Sequence, residues 1–334
     1  MQNLRILADQ KNPDAFNLLG NLYLVRRDWG EAERCYGEAL NLDASRAEFH
    51  NNLGILKLQQ HQGKEALCYF FQAIKLDPDF PDAFYNLGLI FAAQGKGVEA
   101  KDYFSRTITL NPAHPLAHYR RASILMGEGA LDLAIADYKQ ALKANPDFQE
   151  AWADLGFATL EKKDFKTALK IFQLVLLSKP DMARAQFGAG LAFKAMGDWG
   201  KAMGAFQRAS ELAPKAADPH LELGFAWLAW RGAAATEWCE QELLKAIAVE
   251  PQSGRAHYLT AVFYDDLNQV QKACAQYEAA LALNYGQPKT EIFLAQNYLR
   301  SGQKSKAKPL LEKLLKILSP KSPYYETAKT LSQS

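Results

Sequence analysis

Prolines recur along this chain at a constant interval. A fixed interval of this length is typical of repeat proteins, in which each supersecondary unit buries its apolar face only against its neighbours. The pattern therefore predicts a stack of similar units and not a single globular core. The prolines at 34-residue spacing are Pro78, Pro112, Pro146, Pro180 and Pro214, and Pro251 follows after 37 residues.

Small and aromatic residues follow the same period. One small residue recurs from Gly20 onward, a second from Ala32, and an aromatic residue or leucine from Tyr36. Within each period, apolar residues spaced by three and four positions predict two amphipathic helices. Glycine or asparagine, as at Gly95 and Asn268, marks the turn between them, and the proline ends the second helix. The small residue lets the two helices approach closely, and the aromatic residue fills the space beside it.

The third period shows the complete pattern, in Phe84, Leu87, Gly88, Phe91, Ala100, Phe104 and Pro112. This pattern resembles the tetratricopeptide repeat (TPR), a helix–turn–helix unit of 34 residues. The resemblance covers residues 13 to about 320. It implies an all-α protein, a right-handed α-solenoid (superhelix) of nine TPR units with terminal capping helices.

The resemblance also divides the chain into three expected segments. They are an N-terminal capping helix over residues 1–12, the TPR superhelix over 13–320 and a C-terminal capping helix over 321–334. The nine repeats are expected to begin near residues 13, 47, 81, 115, 149, 183, 217, 254 and 288.

Two departures from the pattern are informative. The interval from Gly224 to Cys239 is three residues longer than in other repeats, which places an insertion in the turn of repeat seven near Trp230–Thr236. Repeat four has Arg121 where the pattern has leucine.

The net charge and the distribution of apolar residues limit which classes of partner we expect. A net charge of +2 gives no strong attraction to nucleic acid, and no run of apolar residues is long enough to span a membrane. The first 12 residues have no signal-peptide pattern. The four cysteines form no CxxC pair, and free thiols favour a reducing compartment. We therefore expect a cytoplasmic protein, or a periplasmic or lipid-anchored one if the sequence is part of a longer chain.

Catalytic and metal-binding patterns are missing from the sequence. There is no Walker loop, no GxGxxG after a strand, no HExxH and no GxSxG. His50, His118, His220 and His257 all occupy the fourth position of a first helix, which is a packing position. We therefore expect a protein that is not an enzyme, with no cofactor and no metal site.

Candidate ligand-binding residues follow from the family resemblance, which implies that the first helices line a concave groove. Asparagine amides there can bind an extended backbone, tyrosines add apolar area with a polar tip, and arginine can bind a carboxylate or carbonyl. The candidates are Asn17, Asn21, Asn51, Asn52, Tyr85, Asn86, Tyr119, Arg120, Phe187 and Tyr258.

The predicted function is a non-catalytic scaffold that binds an extended peptide or another protein in this groove. Family members of this kind occur in bacterial pilus, envelope and motility assemblies. The alternatives are a self-assembling structural protein, which leaves a homo-oligomer open, and the targeting arm of a larger enzyme such as a protein glycosyltransferase. Residues 300–334 also hold Arg300 and seven lysines against Glu312 and Glu326, which is either a solvated face or a site for an acidic partner.

Overall fold

The computed structural model describes residues 11–333, and these residues form α-helices and turns without a β-strand. The capping helix predicted for residues 1–12 lies almost wholly outside the described residues. The chain divides after Lys162 into two compact units, here called the first and second units.

The first unit consists of nine described helices. Odd-numbered helices are the first helices of their repeats and even-numbered helices are the second. They are α1 (Pro13–Val25), α2 (Trp29–Leu42), α3 (Ala47–Gln59), α4 (Gly63–Leu76), α5 (Pro81–Ala93), α6 (Gly97–Leu110), α7 (Pro115–Gly127), α8 (Leu131–Ala144) and α9 (Gln149–Glu161).

The second unit continues the alternation and adds a short 3-10 helix, Gly232–Ala235, before α14. Its α-helices are α10 (Phe165–Ser178), α11 (Ala183–Ala195), α12 (Trp199–Leu212), α13 (Ala217–Arg231), α14 (Thr236–Val249), α15 (Gly254–Asp266), α16 (Val270–Ala282), α17 (Lys289–Arg300), α18 (Lys304–Ile317) and α19 (Tyr325–Ser332). The last of these packs against α17 and α18, where Ala328 is fully buried beside Leu311 and Leu314.

Within each unit, the odd-numbered helices α1, α3, α5 and α7, and α11, α13, α15 and α17, each pack against the even-numbered helix that follows. Neighbouring odd-numbered helices also contact one another directly, as α1 does with α3 and α13 with α15. The predicted all-α solenoid is confirmed. In each unit the odd-numbered helices form one surface, here called the first-helix face.

Local sequence signals set the helix ends. The side chain of Asn12 accepts a hydrogen bond from the backbone N–H of Ala15 at 3.1 Å, and Pro13 follows at the first helical position, where its missing N–H is harmless. The chain reverses between helices through a residue with positive φ, for example Gly95 at +74°. Glycine adopts this backbone conformation without the steric penalty that a Cβ imposes.

The small and aromatic positions meet within several of the hairpins. A Cβ added to Gly88 would lie 2.5 Å from Cε1 of Phe104, a ring that is fully buried. The same contact joins Gly54 to Phe70. The spacing of these residues in the sequence therefore has a direct cause, because the ring occupies the volume that a larger side chain would need.

Repeat seven accommodates its longer turn by repacking tryptophans. Trp227 stacks on Trp238, with ring centroids 5.2 Å apart, and lies 5.9 Å from Trp230. Trp230 and Trp238 remain 45% and 50% exposed. Cys239 takes the small-residue position and is fully buried, and burial raises the pKa of its thiol to about 12.

Candidate protein-interaction site

A ladder of side-chain amides crosses the first-helix face of the first unit. Asn52 donates from Nδ2 to Oδ1 of Asn17 at 2.9 Å, and Asn86 donates in the same way to Asn51 at 2.8 Å. Each bond joins the fifth position of one first helix to the sixth position of the next. The predicted asparagine cluster is therefore assembled, and its amides hold neighbouring repeats in register.

The ladder leaves some amide groups without a protein partner. Asn17 is 2% exposed and uses both groups, since its Nδ2 also donates to Glu48 at 2.9 Å. Asn51 is 3% exposed, and its Oδ1 accepts the bond from Asn86. Asn52 and Asn86 use only Nδ2, so within residues 11–333 their Oδ1 atoms accept no hydrogen bond from protein. These two oxygens can accept hydrogen bonds from a ligand.

Asn21 lies one turn further along α1. Its Oδ1 accepts a hydrogen bond from the hydroxyl of Tyr36 at 2.7 Å. Tyr36 is the buried aromatic residue of repeat one, and burial raises the pKa of its hydroxyl well above the ordinary value. Asn21 thus satisfies a buried hydroxyl group, and its amide nitrogen is the part left for other contacts.

The ladder is interrupted between α5 and α7. Tyr85 and Arg120 occupy the same fifth and sixth positions as the asparagine pairs, but no hydrogen bond joins them. The Tyr85 ring packs against His114 and Phe104, with centroids 4.9 and 5.7 Å away, and its hydroxyl has no partner in the described chain. Arg120 is exposed, and among the described residues it contacts no carboxylate. Its guanidinium lies 5.7 Å from the ring of Tyr119.

The ladder resumes at the next pair. The hydroxyl of Tyr119 donates to Oδ2 of Asp154 at 2.8 Å, and its ring packs against Phe148 at 4.7 Å. Tyr85 and Arg120 are therefore flanked on both sides by bonded pairs. The bonded pairs join α5 to α3 and α7 to α9, and they leave a phenol and a cation without hydrogen-bond partners in the described chain on the adjacent helices α5 and α7.

The remaining candidates, Phe187 and Tyr258, belong to the second unit. Phe187 packs against Phe206 at 5.7 Å. Tyr258 lies 5.8 Å from Tyr285, and the ammonium of Lys289 lies 5.6 Å above its ring. Both side chains are half-buried on first helices and contribute aromatic surface to their own unit.

Ion pairs join several first helices of the second unit. Glu222 is 7% exposed and accepts hydrogen bonds from Lys194 at 2.6 Å and from Arg255 at 2.9 Å. Arg255 also pairs with Asp218. These contacts connect α11, α13 and α15, so most of the ionic groups here are already engaged within the protein.

The fourth-position histidines have a structural role that packing alone does not describe. The Nε2 atoms of His50, His118 and His257 each lie 3.1 Å from the carbonyl oxygen six residues earlier, and Trp152 donates its indole N–H to Pro146 O at 2.9 Å. The side chain at this position satisfies a carbonyl group in the turn that precedes its helix. No cluster of histidine, cysteine and acidic residues with the geometry of a metal site was found in residues 11–333.

An ionic network that was not predicted from the sequence lies behind α7. Arg121 donates from Nε and Nη2 to the carboxylate of Asp137 at 2.6 and 2.8 Å, and Nδ1 of His118 lies 3.0 Å from the same carboxylate. Burial alone would raise the pKa of Asp137, but the hydrogen bonds from Arg121 and His118 outweigh it and lower the pKa. The signal in the sequence was the replacement of leucine by Arg121, which requires a nearby acid.

The helical hairpins and their regular packing define an α-helical repeat protein. Models of the tetratricopeptide repeat match the chain in overlapping segments, and the chain belongs to the tetratricopeptide repeat family. The segments are residues 17–75, 64–95, 82–114, 99–147, 125–189 and 184–216.

Solved structures of similar fold come from bacteria and yeast. A tetratricopeptide repeat protein from Parabacteroides merdae is 17% identical, with a TM-score of 0.64 over 75% of this chain and 98% of that one. PilF from Pseudomonas aeruginosa is 19% identical, with a TM-score of 0.56 over 64% of this chain and 96% of that one. Yeast Tom70 is 18% identical, with a TM-score of 0.53 over 87% and 63%. At these identities the likeness shows the fold alone.

No curated protein sequence matches the chain. Among the helices between residues 11 and 333, none combines the length and the apolar character that crossing a bilayer requires.

Proposed function

We propose that this protein is a non-catalytic scaffold that binds an extended segment of a partner protein along the first-helix face of its first unit. The observation that supports this most directly is the interrupted ladder. Tyr85 and Arg120 have no hydrogen-bond or ion-pair partner in the described chain, although the equivalent pairs on both sides are bonded. Tetratricopeptide repeat proteins generally bind proteins or peptides and lack catalytic activity.

The available groups suit a peptide backbone with a nearby negative charge. The Oδ1 atoms of Asn52 and Asn86 accept N–H groups, and the Arg120 guanidinium binds a carboxylate or a carbonyl oxygen. Tyr85 supplies apolar area together with a hydroxyl that can donate or accept. A row of such groups binds main chain with little dependence on sequence, so the specificity rests on Arg120 and on the shape around Tyr85.

The test is a comparison of partner capture by the full chain and by variants chosen not to disturb the ladder. Tyr85→Phe combined with Arg120→Ala removes the free hydroxyl and the free cation and leaves the Asn51–Asn86 bond in place. Lys139→Ala is the matched control, since Lys139 is an exposed cation on the second helix of the same repeat. Partners captured from native lysate would be identified by quantitative mass spectrometry.

A partner retained by wild type and by Lys139→Ala but lost by the double variant would support the proposal. Equal retention by all three proteins would contradict it. The double variant must also keep the wild-type circular dichroism spectrum, so that loss of binding reports on the site.

Self-association is a second candidate, favoured by the charge distribution. Residues 1–162 contain 17 basic and 21 acidic residues, a net charge of −4, whereas residues 163–334 contain 22 and 16, a net charge of +6. Opposite charges on two parts of one chain attract the parts of different copies. Light scattering at several protein and salt concentrations distinguishes this candidate, since it requires a mass above the monomer that falls with added salt.

A further inference from the structure

Two cavities lie at equivalent positions in repeats four and nine, on the side of the first helix that faces the second helices. The cavity in repeat four has a volume of about 490 Å³ and the one in repeat nine about 410 Å³. Five positions of the repeat contribute to both. In repeat four they are Arg121, Leu125, Leu133, Ala136 and Asp137, and in repeat nine they are Leu294, Tyr298, Lys306, Pro309 and Leu310.

In the cavity of repeat four, the cations Arg121 and Lys101 are paired with carboxylates of the protein. Arg121 donates two hydrogen bonds to Asp137 and a third to the Ser105 hydroxyl at 3.0 Å. At its edge Lys101 bonds to Glu128 at 2.7 Å. Arg121, Asp137 and Lys101 therefore have partners within the first unit.

The repeat-nine groove, which Lys313 also lines, differs from this cavity in the polarity of its floor. The two positions that carry the Arg121–Asp137 ion pair in repeat four are here Leu294 and Leu310, so the floor is apolar. Leu294 is 3% exposed, and the neighbouring Tyr298 is 7% exposed with its hydroxyl donating to Glu278 at 2.5 Å. The floor is thus well packed and presents an apolar surface to whatever enters the groove.

The rim of the groove is basic. Along α18, Lys306, Leu310, Lys313 and Ile317 follow one another at helical spacing, so cations and apolar residues alternate on one stripe. The side chains of Lys306 and Lys313 are 57% and 56% exposed. The ammonium of Lys306 lies 3.6 Å from Glu278, a loose and exposed ion pair of little strength. The ammonium of Lys313 lies 2.7 Å from the buried carboxylate of Glu291 and is engaged there.

Lys316 adds to this charge one turn after Lys313. It is exposed and has no carboxylate partner in the part of the chain described here. Ile317 is 63% exposed. An apolar floor beneath a rim of cations is complementary to an apolar side chain flanked by carboxylates.

We propose that the repeat-nine groove docks an acidic segment of a partner protein, which inserts an apolar side chain over Leu294 and Leu310 and places carboxylates beside Lys306 and Lys316. The volume of the groove suits one or two large apolar side chains. A nucleic acid would leave the apolar floor uncovered, so protein is the favoured occupant. This site is separate from the first-helix face and does not depend on the function proposed for it.

The test measures binding of a defined probe to the full chain by fluorescence anisotropy. The probe is a fluorescein-labelled helical peptide with leucines at positions i, i+4 and i+7 and glutamates at the flanking positions. Lys306→Glu introduces repulsion at the rim, and Lys139→Glu on α8 is the control with the same change in net charge. A second peptide replaces each leucine by serine, and anionic phosphatidylserine vesicles are a third probe.

The proposal expects Lys306→Glu to weaken binding of the leucine peptide by about tenfold or more, since juxtaposed like charges cost more than the 1.4 kcal/mol that corresponds to tenfold. It expects Lys139→Glu to bind like wild type and the serine peptide to bind at least about tenfold more weakly. Equal weakening by both variants, equal affinity for both peptides, or no binding at low salt would each overturn it. Binding to the vesicles but not to the leucine peptide would replace the protein partner by a lipid surface.

Discussion

The amide of Asn86 donates to Oδ1 of Asn51 at 2.8 Å, and this bond joins two first helices through side chains that are 8% and 3% exposed. The sequence pattern predicts that these asparagines contact a ligand. In the pairs Asn52–Asn17 and Asn86–Asn51, the Nδ2 group of Asn52 or Asn86 bonds to the neighbouring repeat. Only the Oδ1 atom of that residue remains for a ligand. A substitution in the ladder therefore affects stability as well as binding.

We expect Asn86→Ala to lower the free energy of unfolding by about 1–3 kcal/mol, because it leaves the buried Asn51 oxygen without a donor. Arg120→Ala, on the same face and without an intramolecular bond, is expected to change it by less than about 0.5 kcal/mol. Urea denaturation followed by circular dichroism measures both. Equal effects of the two substitutions would show that the ladder bonds do not contribute.

A second prediction concerns the contact between Gly88 and Phe104. Gly88→Ala places a Cβ 2.5 Å from the buried ring, so helix or ring must shift, and we expect a loss of about 1–3 kcal/mol. Gly37→Ala is the matched control, because it lies within α2 and has no atom within 4 Å of the added Cβ.

At that open position, alanine should stabilise the protein by up to about 1 kcal/mol through its higher helix propensity. Thermal and urea denaturation of both variants check the pair of predictions. A neutral Gly88→Ala variant would mean that the small-residue position is not a steric requirement.

Much of the fold could be predicted from the sequence because its determinants are local and repeated. The contact between Gly88 and Phe104 follows from a spacing that occurs in repeat after repeat, so one steric rule fixes many hairpins. Repeat seven was predictable only in part. The extra residues gave the position of the insertion, but the stacking of Trp227 on Trp238 depends on how the longer turn folds back.

The candidate site was harder to predict, since it depends on bonds between repeats. The sequence identifies Asn51, Asn86, Tyr85 and Arg120 as residues of one face but does not show which of them are already paired. The repeat-nine groove could not be predicted from the sequence for a related reason. Its character appears only when Leu294 and Leu310 are compared with Arg121 and Asp137, which are far away in the sequence and equivalent in the fold.

The pH dependence of stability should reveal the network around Asp137. Its pKa is lowered in the folded protein, so the carboxylate contributes stability at pH values above the unfolded pKa of about 3.9. This contribution is lost as the pH falls through the folded pKa. At pH 7 we expect Asp137→Asn to cost about 1.5–3 kcal/mol, the range for hydrogen bonds to charged groups.

The difference between wild type and Asp137→Asn should shrink as the pH falls below about 4. Urea denaturation at a series of pH values measures it. Asp132→Asn, which removes an exposed carboxylate on the same helix, is the control and should show little pH-dependent difference. A constant difference down to pH 3 would contradict the lowered pKa.

The last prediction concerns a buried carboxylate at the edge of the repeat-nine groove. Glu291 is 2% exposed, and its Oε1 accepts a hydrogen bond from Lys313 at 2.7 Å, while its buried Oε2 has no partner among the described residues. Lys313→Ala leaves this charge uncompensated and is expected to destabilise the protein by about 3–5 kcal/mol. Lys316→Ala removes an exposed lysine of the same helix and should be nearly neutral.

Glu291→Gln combined with Lys313→Ala should recover most of the lost stability, because no buried charge then remains. Urea denaturation of the two single variants and the double variant measures the coupling between the residues. If the double variant is as unstable as Lys313→Ala alone, the loss arises from packing of the lysine stem and not from the unpaired carboxylate. This result also decides whether Lys313 can be varied in binding experiments, since only a residue without that structural role reports on the groove alone.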